Sequence, residues 1–206
     1  MKAKRVFVSI ACVLACLPLY TPTFGQGIQG VDLGLIRISL ESTSAANKPA
    51  CFVDSGFSPE GSAKQWVYRA IDSARSSIRL GAYSFTSREV VRRLIDAKDR
   101  GVDVAVVVDE RSNVDEDRSG RSRAALDALV RAGIPTRTLA AYQAAHDKNF
   151  VVDGRTVETG SYNFSDSAAR RNSENAVVIW NCPATARVFL DHWQSRWNQG
   201  VDYRAS

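Results

Sequence analysis

Apolar positions along residues 51–206 follow two periods, and each switch between them marks an element. The string CFVDSGF, from Cys51, predicts a strand and turn. Pro59 then predicts the start of a helix, with Ala63, Trp66, Val67, Ala70, Ile71 and Ala74 at helical spacing. SIRLGAYSF is a second strand. Thr86 or Ser87 can cap a second helix, with Val90, Val91, Leu94, Ile95 and Ala97 inward and Gly101 as its stop. VDVAVVVD is almost wholly apolar, as a central strand covered on both faces must be. A helix through Ala125, Leu126, Leu129 and Val130 ends at Gly133, and IPTRTL is a short strand. NFVVD and TVETGSYN form a hairpin with Asp153-Gly154 at its turn. NAVVIW is a further buried strand, and a last helix carries Ala186, Phe189, Leu190, Trp193 and Trp197 on one face. This alternation predicts an α/β sandwich: a mixed β-sheet flanked by helices on both faces, in a single domain over 51–206. GAYSFTS and GSYNFSD look alike, but nothing else repeats.

The start of the chain follows a different rule. Lys2, Lys4 and Arg5 precede an apolar run from Val6 to Tyr20, broken by Pro18 and followed by Pro22, Thr23 and Gly25. Residues 1–25 therefore read as a secretory signal peptide with the mature chain beginning near Gln26, and the product as periplasmic or secreted. The run is too short and too interrupted for a comfortable transmembrane span. Val13, Leu14 and Ala15 before Cys16 leave lipoprotein anchoring as an alternative. Residues 26–50 are expected to form an N-terminal arm, low in aromatic content and rich in Gly, Ser, Thr and Ala.

Export changes the reading of charge and of cysteine. The chain of 206 residues carries +5, but three of its 27 basic residues lie in the signal segment, which holds no acid. The remainder is close to +2, so overall charge does not by itself imply a nucleic-acid partner. Cys12 and Cys16 leave with the signal; Cys51 and Cys182 remain, either as one structural disulfide or as two buried thiols.

Candidate chemistry concentrates in HDKNFVVDGRTVETGSYN. It fixes His146, Lys148, Asp153, Gly160, Ser161 and Asn163 as H-x-K, four residues, D, six residues, G-S-x-N. If His146 and Lys148 share one strand and Ser161 and Asn163 its neighbour, alternate side chains bring imidazole, ammonium, hydroxyl and carboxamide to one spot. That set suits a phosphodiester: the imidazole attacks phosphorus while the cation and the donors stabilise charge on the non-bridging oxygens. The sequence shows no Cys/His or carboxylate grouping with metal-ligand spacing, and no cofactor is expected. The leaving oxygen needs a second acid. His192, beside Trp193 in the last helix, reads as packing or surface, so His146 of a second subunit is the better donor, delivered by a two-fold axis.

The motif, with AIDSARSSIRL, AYSFTS, RGVDV, NSENAVVIW and HWQSRWNQG, resembles the phospholipase D superfamily, and in particular its small secreted bacterial endonucleases. Members need two such motifs per site, and this chain has one, so the resemblance implies a homodimer with a shared active site. It also implies a metal-independent phosphodiesterase that cleaves DNA and RNA through a phosphohistidine. Carried over by position, His146 is the nucleophile in one subunit and the general acid/base in the other. Lys148 and Asn163 bind phosphate oxygens with help from Ser161. Glu174, in NSEN, orients the His146 ring, and Asp153, grouped with the catalytic set, plays a supporting part. The arm before Cys51 and the charged stretch at 111–123 depart from the resemblance.

Nucleic acid is the expected substrate. Arg88, Arg92, Arg93, Lys98 and Arg100 crowd one helix, and Arg118, Arg121, Arg123 and Arg131 crowd the next. They could track phosphates, or simply form solvated faces interleaved with acids. A lipid phosphodiesterase or phosphatidyltransferase is the alternative, although the sequence shows no hydrophobic loop or amphipathic membrane helix, and no stable membrane association is expected after signal removal. A catalytically silent nucleic-acid-binding dimer is the third reading.

Overall fold

A computed structural model of the chain describes residues 51–205, so the expected signal segment, the arm and Cys16 lie outside the described residues. The elements are β1 (Phe52–Ser58), α1 (Ser62–Asp72), β2 (Ser77–Ala82), α2 (Arg88–Asp99), β3 (Asp103–Asp109), a π-helical turn (Arg111–Asp115), α3 (Arg121–Arg131) and β4 (Thr136–Leu139). They continue with β5 (Lys148–Val152), β6 (Thr156–Gly160), α4 (Asp166–Arg170), β7 (Glu174–Trp180), α5 (Pro183–Gln199) and β8 (Val201–Asp202). The π-helical turn falls within the charged stretch at 111–123, and it, α4 and β8 carry no apolar period by which to find them. The first helix starts at Ser62 rather than Pro59, because residues 59–61 form the turn out of β1.

All eight strands make one sheet in the order β1-β7-β6-β5-β2-β3-β4-β8. β2, β3 and β4 run parallel, joined by crossovers through α2 and α3, and the other pairings are antiparallel. The sheet is thus mixed, as expected. Its main core, on one face, takes Val67, Ala70 and Ile71 of α1, Val90 and Leu94 of α2 and Leu126 and Leu129 of α3. α5 covers the other face: Trp193 packs with Ala105, Val107 and Leu139, while Ala186, Phe189 and Leu190 meet Val151 and Val157. β3 lies between these layers, so six of its seven residues are buried, which is why its sequence is an unbroken apolar run.

Local chemistry fixes the ends of elements. The Ser87 hydroxyl accepts from the Val90 amide at 3.3 Å and caps α2. The β5–β6 hairpin turns through Asp153 (φ 52°) and Gly154 (φ 63°), the pair of positive dihedrals that an Asp-Gly turn supplies. Cys51 and Cys182 are joined as a disulfide, with Cα atoms 4.8 Å apart. The main core also contains an acid. Glu158, in β6 between Phe150 and Val178, is fully buried, and neither carboxyl oxygen has a hydrogen-bond partner. Burial pushes its pKa well above the ordinary carboxylate value, so the group sits in the core as the neutral acid.

Candidate active site

The strand directions bring five element ends to one edge of the sheet. Ala82, the last residue of β2, pairs with Lys148, the first of β5; Asn149 pairs with Thr159, and Gly160 pairs with Ala176 near the start of β7. The C-terminal end of β3 reaches the same edge, since it runs parallel to β2. Here the chain presents His146, Lys148, Ser161, Asn163 and Glu174.

His146 is exposed and lies two residues ahead of β5, not on a strand. Two buried polar side chains hold its segment in place. The Asp109 carboxylate accepts from the Ala145 amide at 2.7 Å and from the Ser112 amide at 2.7 Å. Asn113, fully buried in the π-helical turn, donates to the carbonyls of Tyr83 and Asp109 and accepts from the Phe85 amide. Such a turn is often found where a helix is bent to serve a site. Tyr83 in turn donates its amide to the Asp147 carbonyl at 2.7 Å, which ties the segment after β2 to the histidine's own.

The ring of Tyr83 lies between the two principal groups. Its centroid is 4.4 Å from that of His146, tilted by 55°, and the Lys148 ammonium sits 4.9 Å from the same ring. Lys148 is buried, and Nζ donates to the His146 carbonyl at 2.9 Å. Burial lowers its pKa, offset in part by the negative charges of Asp147 and Glu174. The lysine and the histidine thus meet at one aromatic ring, although only the lysine is on a strand. Tyr83, Asp109 and Asn113 carry no motif and were missed in the sequence; the only signal was an aspartate closing an apolar strand, with an asparagine four residues on.

Ser161 and Asn163 follow β6 rather than belonging to it. Gly160 is required just before them: a Cβ there would stand 2.3 Å from the Asn175 carbonyl oxygen. That carbonyl accepts from the amides of both Ser161 and Tyr162. The Ser161 hydroxyl donates to the Glu174 carboxylate at 2.6 Å and accepts from the Asn175 amide at 3.0 Å. The second Glu174 oxygen accepts from the Asn172 amide group at 2.9 Å. Within the subunit, then, Glu174 meets Ser161 and Asn172 and not the His146 ring, because β7 begins two strands away from the histidine's segment. The Asn163 side-chain oxygen is buried without a partner, an orphan acceptor inside the site.

Asp153 is not brought to this edge. It stands at the opposite end of the β5–β6 hairpin, roughly 20 Å of extended chain from His146. Its carboxylate accepts from the amides of Arg75, Ser76 and Ser77, at 3.0, 2.7 and 2.9 Å, and from the Ser76 hydroxyl at 2.9 Å. Burial by itself would raise its pKa, yet these hydrogen bonds hold it below the ordinary value. The aspartate therefore anchors the entry to β2. His192 lies on α5, where its Nε2 is 3.0 Å from the Asp147 carboxylate.

Much of the basic cluster is neutralised locally. Arg92 pairs with Glu89 and Asp96, and Arg93 pairs with Asp72 and Glu89. Arg88, Arg100, Arg118 and Arg121 are exposed, and none forms an ion pair among the described residues. No group of three or more His, Cys, Asp or Glu side chains among the described residues is placed to share a metal ion, and no helix there is long and apolar enough to cross a membrane.

Comparison with known proteins identifies the family and the fold. Residues 67–197 match the family described as cardiolipin synthase, PLD-like domain. The fold is similar to that of a phospholipase D family member, Nuc from Salmonella typhimurium, with a TM-score of 0.72 and 54% identity over 75% of this chain and 99% of that one. A phospholipase D of Rickettsia conorii is 30% identical, covering 94% of this chain and 95% of its own. The mitochondrial cardiolipin hydrolase of Homo sapiens is 32% identical over 68% of this chain and 54% of its own, so the chain spans about half the length of that relative. With these matches and this sheet, the chain belongs to the phospholipase D superfamily of phosphodiesterases.

Proposed function

We propose that the protein is an exported, metal-independent endonuclease whose active site is completed by a second copy of the chain. The observation that carries this reading is the exposed His146 ring beside Tyr83, with the Lys148 ammonium on that same tyrosine. A ring nitrogen of His146 attacks phosphorus. The P–O bond to the leaving oxygen breaks, and that oxygen takes a proton from His146 of the second copy. Water then attacks the phosphohistidine, returns a proton to the second imidazole, and the P–N bond breaks. Lys148 and the Asn163 amide group stabilise the non-bridging oxygens through both steps, and Ser161 links this cluster to Glu174. Glu174 acts on the phosphate side of the site through that serine. The need for two imidazoles, with one such histidine per chain, supports the homodimer.

The 54% identity to Nuc, over nearly all of that chain, supports nucleic acid as the substrate, as does the resemblance to the small secreted endonucleases. Phospholipid is the second reading, favoured by the relatives named phospholipase D and cardiolipin hydrolase. The deciding experiment is digestion of plasmid DNA, single-stranded DNA, RNA and phospholipid vesicles by the mature protein in excess EDTA, with His146→Ala as control. The proposal expects cleavage of a polymer that survives EDTA and is lost in the variant. A folded dimer that hydrolyses vesicles and no polymer refutes the nuclease reading.

A further inference from the structure

A cavity of about 560 Å³ opens beside His146, within the size range of small-ligand pockets. Tyr83 and Tyr142 line it, with Arg111, Glu116 and Gln143. Tyr83 is the residue whose ring touches His146, so the cavity reaches the candidate reaction centre through that ring. Tyr142 lies four residues before His146 and is 40% exposed.

The Tyr142 ring is nevertheless held in place. Its hydroxyl donates to the Gln199 side-chain oxygen at 3.0 Å, and the Arg196 guanidinium meets that hydroxyl and lies 4.5 Å from the ring centroid. An exposed aromatic face fixed from behind is what a stacking platform needs. The charges around it are balanced. Arg111 is paired with Glu116 at 2.7 Å, and the Asp109 carboxylate that reaches the cavity is taken up by the Ser112 and Ala145 amides. A nearly neutral, aromatic-lined recess suits an uncharged planar group with polar edges; the phosphate itself belongs with Lys148.

From these features we infer that the recess is a nucleobase subsite: the base next to the scissile phosphate stacks on Tyr142, and Gln143, Arg111 and Glu116 offer polar contacts to its edge. The inference rests on the nuclease reading and sharpens it. A base in a duplex must be unpaired and unstacked before it can enter, a cost that a single strand does not bear, so single-stranded nucleic acid is the favoured substrate.

The test uses the full mature protein and a single-stranded oligonucleotide with one cleavable phosphodiester, its other linkages being methylphosphonate. The nucleotide on either side of that linkage is intact or abasic. On the intact substrate, Tyr142→Ala should lower kcat/KM about ten- to hundredfold, the range covered by stacking one base on an aromatic ring. Removing the base on one side should cost wild type the same factor and the variant nothing more. Tyr142→Phe, which keeps the ring, should restore the rate, and the preference for single over double strands should collapse in Tyr142→Ala. Wild-type cleavage with an unaffected Tyr142→Ala, or losses that multiply, overturns the subsite and leaves the nuclease reading standing. Hydrolysis of phospholipid vesicles and of no oligonucleotide overturns both. Should Tyr142→Ala fail to fold, wild type on the abasic substrates decides: an undiminished rate refutes the subsite.

Discussion

Asp153 is the motif residue whose role the structure changes most, and its replacement separates anchoring from catalysis. In Asp153→Ala the three amides of residues 75–77 and the Ser76 hydroxyl lose their common acceptor. Hydrogen bonds to a charged group contribute about 1.5–3 kcal/mol each when protected, but those to Arg75 and Ser76 are exposed and water can replace them. Discounted to roughly 0.5–1 kcal/mol each, the four give about 2–4 kcal/mol. Alanine must also adopt a positive φ of 52°, which costs about 1–2 kcal/mol more. The total of about 3–6 kcal/mol corresponds to a fall in Tm of about 10 to 20 °C for a domain of this size. Asp153→Asn keeps one acceptor and tolerates the φ, so its loss should be less than half as large. The pH dependence has a definite sign. A depressed carboxyl pKa contributes stability that is present above the unfolded value of about 3.9 and is lost as pH falls through the folded value. The gap between wild type and Asp153→Asn should therefore close as the pH drops below about 4. Thermal melts across pH, together with kcat at a temperature where every variant is folded, make the assay. Since the carboxylate stands roughly 20 Å from His146, kcat should stay within about twofold of wild type. A variant that melts like wild type but loses a hundredfold in kcat would show that the anchoring role is wrong.

The remaining predictions concern the core, the disulfide and the clamp beside the site. Glu158→Met removes a buried carboxyl without a partner and should raise stability at pH 7 by about 1–3 kcal/mol. Because the folded pKa of Glu158 is raised, its contribution is best below the unfolded value of about 4.3 and worsens as pH rises through the folded one. Urea titrations at pH 4 and 8 should thus show the smaller gain at pH 4. Paired substitution of Cys51 and Cys182 by serine opens a link across 131 positions, and should cost about 2–4 kcal/mol by denaturant melts with kcat unchanged. That bond lies at the sheet end away from Glu174, beside the Phe52–Trp180 pair. Asn113→Ala strands two carbonyls and one amide in a buried place, and should cost about 2–4 kcal/mol. It should also lower kcat, by releasing Tyr83 from His146; a stable variant with wild-type kinetics would refute the clamp.

The sequence by itself determined most of the elements and singled out the motif side chains of the candidate site. The apolar period is a local property: every side chain that faces the core repeats at 3.6 or 2 residues, so α1, α2, α3, α5 and the buried β3 could be read along the chain. The same holds for Ser87 as a cap and Asp153-Gly154 as a turn, since both act on neighbouring amides or dihedrals. His146, Lys148, Ser161 and Asn163 were found because their spacing is fixed in the sequence. What only the tertiary structure decided is which groups meet. Strand order and register bring Tyr83 to His146 and Asn113 to Tyr83, and they take Asp153 to the far end of the hairpin and Glu174 to Ser161. These partners lie up to 78 residues apart, and nothing in a local period encodes them. Burial works in the same way: Glu158 sits between Val157 and Thr159 in TVETG, and only its register with Phe150 and Val178 places its carboxyl in the core, where burial raises its pKa.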